Sequence, residues 1–237
     1  MSEIVGSYWQ SYLWWDGFHA SGLLVTLELL VSSLMVGALL SVPLAILRCQ
    51  RSKWLYGPVW LFTYVFRGTP LYIQLLIIYA GIYQLDFVRE NTWLNGFFRD
   101  GFNCAVLALG LNTTAYTTEM LAGTLRSISR GEVEAAKAYG FRKRDIYRHV
   151  LIPAAFRRAL PAYSNEVILM LHATAIAFTV TVSDVLKVAG DVNSDTYQAF
   201  YAYGIAAVIY LSVTLVLVAA FREMEKRLLK FNRPRSH

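Results

Sequence analysis

Three ionisable side chains stand inside long apolar runs of this sequence: Arg67, Glu119 and Glu166. A charge at the centre of a membrane-crossing helix costs about 2.5–3.5 kcal/mol on insertion scales, so each of the three calls for a partner or a function. Counted at about 1.5 Å per residue from the basic edge of its segment, Arg67 lies about 14 Å deep, Glu119 about 10 Å and Glu166 about 12 Å, a single layer. Charges from three segments at one depth predict a polar site facing the interior of a helical bundle, or an ion-pair cluster that braces it, with Arg67 and Glu119 placed to pair with each other.

The surrounding residues extend this layer. Arg67-Gly68-Thr69-Pro70 puts glycine and proline inside one apolar run, where broken backbone hydrogen bonds are tolerated only if something re-satisfies them, so a bend is expected there. Asn112, Tyr116, Glu119 and Gly123 recur at i, i+4, i+7 and i+11 and share one helical stripe. Pro161-Ala162-Tyr163-Ser164-Asn165-Glu166 is polar for the start of a segment that continues Val167-Ile168-Leu169-Met170, and a partly unwound start is expected. Glu28 and Asp184 fall near segment ends and read as interfacial carboxylates.

Other chemistries lack their residues. His19, His149, His172 and His237 are scattered without ligand spacing, and no metal site is expected. Cys49 and Cys104 fall near opposite ends of their segments, too far apart for a disulfide. No G-x-x-x-x-G-K-[ST] phosphate loop is present, so the chain has no means of its own to hydrolyse ATP.

The elements that must position the polar layer are helices in a bilayer. Of 237 residues 56% are hydrophobic and 16% charged, too few charges for a surface facing water on all sides. Five stretches reach the roughly 20 residues needed to cross the hydrocarbon core: 22–47, 58–82, 103–125, 159–183 and 199–221. The expected fold is an all-α integral membrane protein of one transmembrane domain, residues 1–237. Residues 1–20 contain no Lys or Arg and no short apolar core, so no cleavable signal peptide is expected and the first span serves as its own anchor.

Basic residues sort along this map. Arg48, Arg51 and Lys53, nine Lys or Arg within 126–158, and six from Arg222 to Arg235 place 18 of 22 on one side, which predicts an external N-terminus and a cytoplasmic C-terminus. The net charge of +6 is thereby accounted for by topology and anionic lipid, with no nucleic acid needed. Trp9, Trp14, Trp15, Trp54, Trp60 and Trp93 fall near span ends, where amphipathic rings suit the headgroup zone.

The hydrophilic segment 126–158 has an order of its own. Ser129-Arg130-Gly131-Glu132 reads as a capping box that starts a helix through Glu134, Ala135, Ala136 and Ala138, and Gly140 supplies the left-handed residue that ends it. A second helix is expected from about Arg142 to Ile152, stopped or kinked by Pro153.

The spacing Glu134-Ala135-Ala136, Gly140, Val150-x-Ile152-Pro153 resembles the signature loop of the membrane subunits of ATP-binding-cassette importers, with Val150 and Ile152 where that family has isoleucine and leucine. Arg-Gly-Thr-Pro at 67–70, Leu-Asn-Thr-x-Ala-Tyr-x-x-Glu at 111–119 and Pro-Ala-Tyr-Ser-Asn-Glu at 161–166 sharpen this to the polar amino-acid branch, and the chain looks closest to permeases of histidine, lysine, arginine and ornithine importers. The resemblance implies the type I importer permease fold in a bacterial plasma (inner) membrane. It implies that the loop is a coupling helix seated on an ATPase subunit through Glu134, Ala135, Ala136, Gly140 and Pro153. It implies as partners a second permease subunit, identical or homologous, two ATPase subunits that bind the ATP and magnesium, and an extracytoplasmic substrate-binding protein. This chain itself then carries no cofactor and no catalytic residue.

For a cationic amino acid as cargo, a low-dielectric site needs net negative charge together with donors for the carboxylate. Glu166 is the candidate for the cation, and Thr69, Asn112, Tyr116 and Ser164 are candidates for neutral hydrogen bonds. Arg67 and Glu119 remain open between substrate contact and a bracing pair. The alternatives are an ion-coupled secondary transporter using Glu119 and Glu166 as a relay, for which no inverted repeat is seen, and a membrane enzyme, for which no convergent nucleophile, base or metal set exists.

Overall fold

The computed structural model describes residues 2–229; of the basic tail, Lys230, Arg233 and Arg235 lie outside the described residues, as does His237. Helix α1 (Ser2–Leu13) lies across the start of α2 (Gly22–Arg48). The turn into α2 needs Gly22: its φ is 62°, and a Cβ there would collide with the carbonyl oxygens of Ser11 and Tyr12.

The second apolar run is not one straight crossing. Helix α3 (Lys53–Gly68) begins five residues before the expected 58, and α4 (Leu71–Leu76), which winds on through a π turn and a 3-10 turn to Gln84, leaves it at 107°. Pro70 lacks an N–H, and Thr69 before it is driven to extended backbone at φ −112°, ψ 147°, so the helix cannot pass. Short helices α5 (Asp86–Glu90) and α6 (Thr92–Arg99) lead to α7 (Gly101–Arg126), which Asp100 starts by accepting a hydrogen bond from the Phe102 amide at 2.9 Å.

Helix α7 is the centre of the molecule, packed against α2, α3, α4 and the later α10 (Ile152–Ala173). Small residues let α2 and α7 approach closely: Gly37 lies against Thr113, and Gly110 against Val36. The same enclosure explains the composition of α7. Asn112, Thr113, Thr114, Thr117 and Thr118 are all buried inside the bundle and away from lipid.

By length and composition α2 and the last helix, α12 (Ala199–Leu228), are long and apolar enough to cross a membrane, and the bent α3–α4 pair makes a third. Helices α7 and α10, with 26 and 22 residues, have the length but carry polar side chains that the bundle encloses.

Between α7 and α10 stand α8 (Arg130–Ala138) and α9 (Lys143–Ile146), which continues through a π turn at Tyr147–Leu151 straight into α10. Pro153 therefore does not stop the second loop helix, the first of the two outcomes expected of it. The π turn absorbs the missing donor, leaving Pro153 in the first turn of α10, where no intrahelical N–H is needed. The residues 159–183 expected as the fourth span are not one α-helix: α10 ends at Ala173, a 3-10 stretch runs to Val180, and Thr181 turns the chain with φ 66°. Nor is the helix unwound around Pro161. The lost hydrogen bond, costing about 3 kcal/mol, is outweighed by burial of Ala155, Ala159, Leu160, Val167 and Met170 on either side.

Asp184 caps α11 (Val185–Thr196) by accepting from the Lys187 amide at 2.8 Å. It is completely buried where α11 meets α2: the Gly22 amide donates to the Ser183 carbonyl at 2.8 Å, and the Val185 amide to Thr26 Oγ1 at 3.2 Å.

Candidate functional site

The three ionisable residues of the apolar runs do not form one cluster. Glu119 pairs with Arg48 and not with Arg67. Its Oε1 accepts from Arg48 Nε at 2.6 Å and from Thr63 Oγ1 at 2.7 Å, tying α7 to the last residue of α2 and the middle of α3. Sequence spacing missed this because Arg48 ends its helix and reads there as an interfacial anchor. Arg48 also lies 5.8 Å from the Tyr56 ring centroid, so its guanidinium is held from two sides.

Arg67 instead lies over Tyr116, 5.2 Å from the ring centroid. Arg48, Trp60, Thr63, Tyr64, Arg67, Gly68 and Glu119 line one open pocket of about 350 Å³ on this face. Trp60 and Tyr64 stack within it at 5.2 Å between centroids.

Glu166, from α10, is only 8% exposed and accepts a hydrogen bond from Thr113 Oγ1 of α7 at 3.2 Å. No cation of the chain forms an ion pair with it among the described residues. Directly toward the basic end, α7 and α10 enclose a cavity of about 120 Å³ lined by Thr117 and Tyr163, with Ala38 and Ser41 from α2.

The neutral candidates divide by what already occupies them. Asn112 Nδ2 donates to the Phe66 carbonyl at 3.1 Å and to Gln74 Oε1 at 3.2 Å. Gln74 Nε2 in turn donates to the carbonyls of Phe66 at 2.8 Å and Thr69 at 3.0 Å and to Thr69 Oγ1 at 2.8 Å. Asn112 and Gln74 thus satisfy the carbonyls that Pro70 frees at the bend, as a break at membrane depth requires. Gln74 had a legible signal: it is the one polar residue in Leu71–Ile78 apart from Tyr72, four positions after the proline. Ser164 Oγ is spent on the Pro161 carbonyl at 2.8 Å, and two helical positions turn it away from Glu166. Tyr116 alone keeps its hydroxyl free of any hydrogen bond among the described residues while standing half-exposed beside Arg67.

At the basic end, α8 starts as expected: the Glu132 amide donates to Ser129 Oγ at 3.3 Å. It ends at Gly140 with φ 79°, where the Gly140 amide donates to the Lys137 carbonyl at 2.9 Å and the Phe141 amide to the Ala136 carbonyl at 3.1 Å, the double closure of a Schellman turn. Ala136 faces inward, whereas Glu134, Ala135 and the 84%-exposed Tyr139 face out. Arg158 of α10 fixes this unit, donating to the Ser127 carbonyl at 2.8 Å and Glu132 Oε1 at 3.0 Å.

Residues 30–230 match the model of the binding-protein-dependent transport system inner membrane component. The chain belongs to this family of inner-membrane permeases. It is 57% identical over 230 residues, 97% of this chain and 98% of the other, to the histidine/lysine/arginine/ornithine transport system permease protein HisM of Salmonella typhimurium. It is 39% identical over 213 residues, 89% and 86% of the two chains, to the octopine transport system permease protein OccM of Rhizobium radiobacter. A solved amino acid ABC transporter, crystallised with histidines, superposes with a TM-score of 0.75 at 32% identity, covering 87% of this permease and 92% of that chain. The type I importer permease fold expected from the motifs is therefore the fold of this protein, and its relatives are transport proteins and not enzymes.

Proposed function

We propose that this permease is the membrane-spanning subunit of an ATP-driven importer of basic L-amino acids, with five spans, an external N-terminus and a cytoplasmic C-terminus. Its likeness to the HisM permease over nearly the whole of both chains supports the cargo class. The observation that carries the site is Glu166: a carboxylate buried at mid-bundle that has, among the described residues, one neutral donor and no ion-pair partner. Such a group is unfavourable on its own and is compensated when a cation arrives. Tyr116 is the neutral group free to join it. Thr69 and Asn112, with Gln74, shape the bend beside the path, and Ser164 stays within its helix.

The mate is a second permease subunit, with two ATPase subunits below and an extracytoplasmic binding protein above. The outward residues Glu134, Ala135 and Tyr139, set by the Gly140 turn, form the docking face for the ATPase, and Pro153 begins the helix that carries the movement inward. ATP and magnesium belong to the ATPase subunits. Alternating access follows their cycle.

Glu166→Gln tests the reading in membrane vesicles with the complete transporter. Lysine and arginine uptake are expected to fall by at least about tenfold, the scale of one charge-assisted contact. Unchanged basic uptake at equal membrane abundance would sink the assignment.

A further inference from the structure

Arg67, like Glu166, is left without an ion-pair partner among the described residues. The partner expected for it, Glu119, is held by Arg48 and Thr63. Among the described residues Arg67 makes no ion pair, and its guanidinium rests only against the Tyr116 ring. A guanidinium at this depth is costly unless it meets water or an anion, and the open pocket over Trp60, Tyr64 and Gly68 leaves room for one. Its position is also specific. Tyr116 follows Thr113 by three residues on α7, so the ring beneath Arg67 and the hydroxyl that holds Glu166 belong to adjacent turns of one helix.

We propose that Arg67 is the receptor for the α-carboxylate of the cargo. The planar guanidinium fork grips a carboxylate through two parallel hydrogen bonds, which a point charge does not reproduce. Glu166 takes the positive end, and this assignment of Arg67 rests on that reading. The pair then recognises a basic amino acid by both its charges and discriminates against an amine that carries the same side chain without the carboxylate.

The test is equilibrium dialysis of arginine and of agmatine, its decarboxylated form, against the purified complete transporter in nanodiscs without the extracytoplasmic binding protein. The wild type is expected to bind arginine at least about tenfold more tightly than agmatine. Arg67→Gln is expected to bring arginine down to the level of agmatine while leaving agmatine binding unchanged, and Arg67→Lys to give an intermediate ratio. A ratio that stays at the wild-type value in Arg67→Gln, or in Arg67→Lys where the glutamine variant does not assemble, overturns the proposal, as does a wild type that fails to separate the two ligands. Glu166→Gln is expected to weaken both ligands alike. If it weakens neither, the Glu166 reading fails, while the arginine-to-agmatine ratio still reports on Arg67.

Discussion

Asp184 makes the stability of this permease depend on pH in a way that one conservative substitution removes. Its side chain is completely buried outside the expected spans, and burial outweighs the hydrogen bonds from the Lys187 and Leu186 amides and from Tyr210, raising its pKa from 3.8 to about 7. Among the described residues no ion pair offsets this. The Lys187 ammonium is turned to Asp191 at 2.6 Å, and Tyr210 from α12 brings only a hydroxyl. Between about pH 4 and pH 7 the folded protein therefore binds a proton that the unfolded chain has released. Stability is greatest below that window and falls as pH rises through it. At about 1.4 kcal/mol for each pH unit, the full loss is on the order of 4 kcal/mol. Asn caps a helix as well as Asp does and carries no charge, so Asp184→Asn keeps the turn and abolishes the titration. Melting temperature of the detergent-purified protein, followed from pH 4 to pH 8, should show the two proteins together at the acid end. The variant should pull ahead by several degrees at pH 7 and above, on a scale of about 2–4 °C per kcal/mol. Parallel curves across the whole range would refute the burial argument.

Two further substitutions test other parts of the structure. Gly140→Asp places a charge on the docking face in a residue that tolerates left-handed backbone better than most; uptake should be lost while membrane insertion, measured by fractionation, stays normal, and full uptake would remove the loop from the coupling path. Gln74→Leu strips the bend of the donor to the Phe66 and Thr69 carbonyls. At a typical 1–3 kcal/mol for a polar group left unsatisfied, membrane yield and melting temperature should both drop, and a variant as stable as the wild type would show that water or lipid serves these carbonyls equally well.

What could be read from the sequence was whatever a local rule decides. The capping box at Ser129, the left-handed Gly140 and the break at Pro70 each depend on a few neighbouring residues, and each stands where the pattern put it. Depth along a helix can be counted from the sequence, which is why Arg67, Glu119 and Glu166 were singled out. Their partners were not. Depth says nothing of rotation, and rotation places Glu119 toward α2 and α3 and Glu166, near Thr113, toward α10. Pro153 and Pro161 misled for a related reason: a proline's local cost is fixed, but a π turn or a well-packed bundle absorbs it, and neither is visible in the residues next to it.

That absorption has a mechanical consequence. Had Pro153 broken the chain, the loop helices would hang from α10 by a flexible joint, and a push on them would dissipate before it reached the membrane. Instead helical backbone runs from Lys143, three residues after the Gly140 turn, through the π turn to Ala173, so one nearly uninterrupted rod carries the carboxylate of Glu166. Arg158 clamps that rod to α8 and to the end of α7 through Glu132 and the Ser127 carbonyl. A displacement of α8 by a docked ATPase must then move α10 as a body. The contact it would disturb is the single hydrogen bond from Thr113 that holds Glu166 in place. If Glu166 binds the cargo cation as proposed, the helix that takes the push from an ATPase also carries the affinity, and ATP turnover in another subunit would then release cargo in this one.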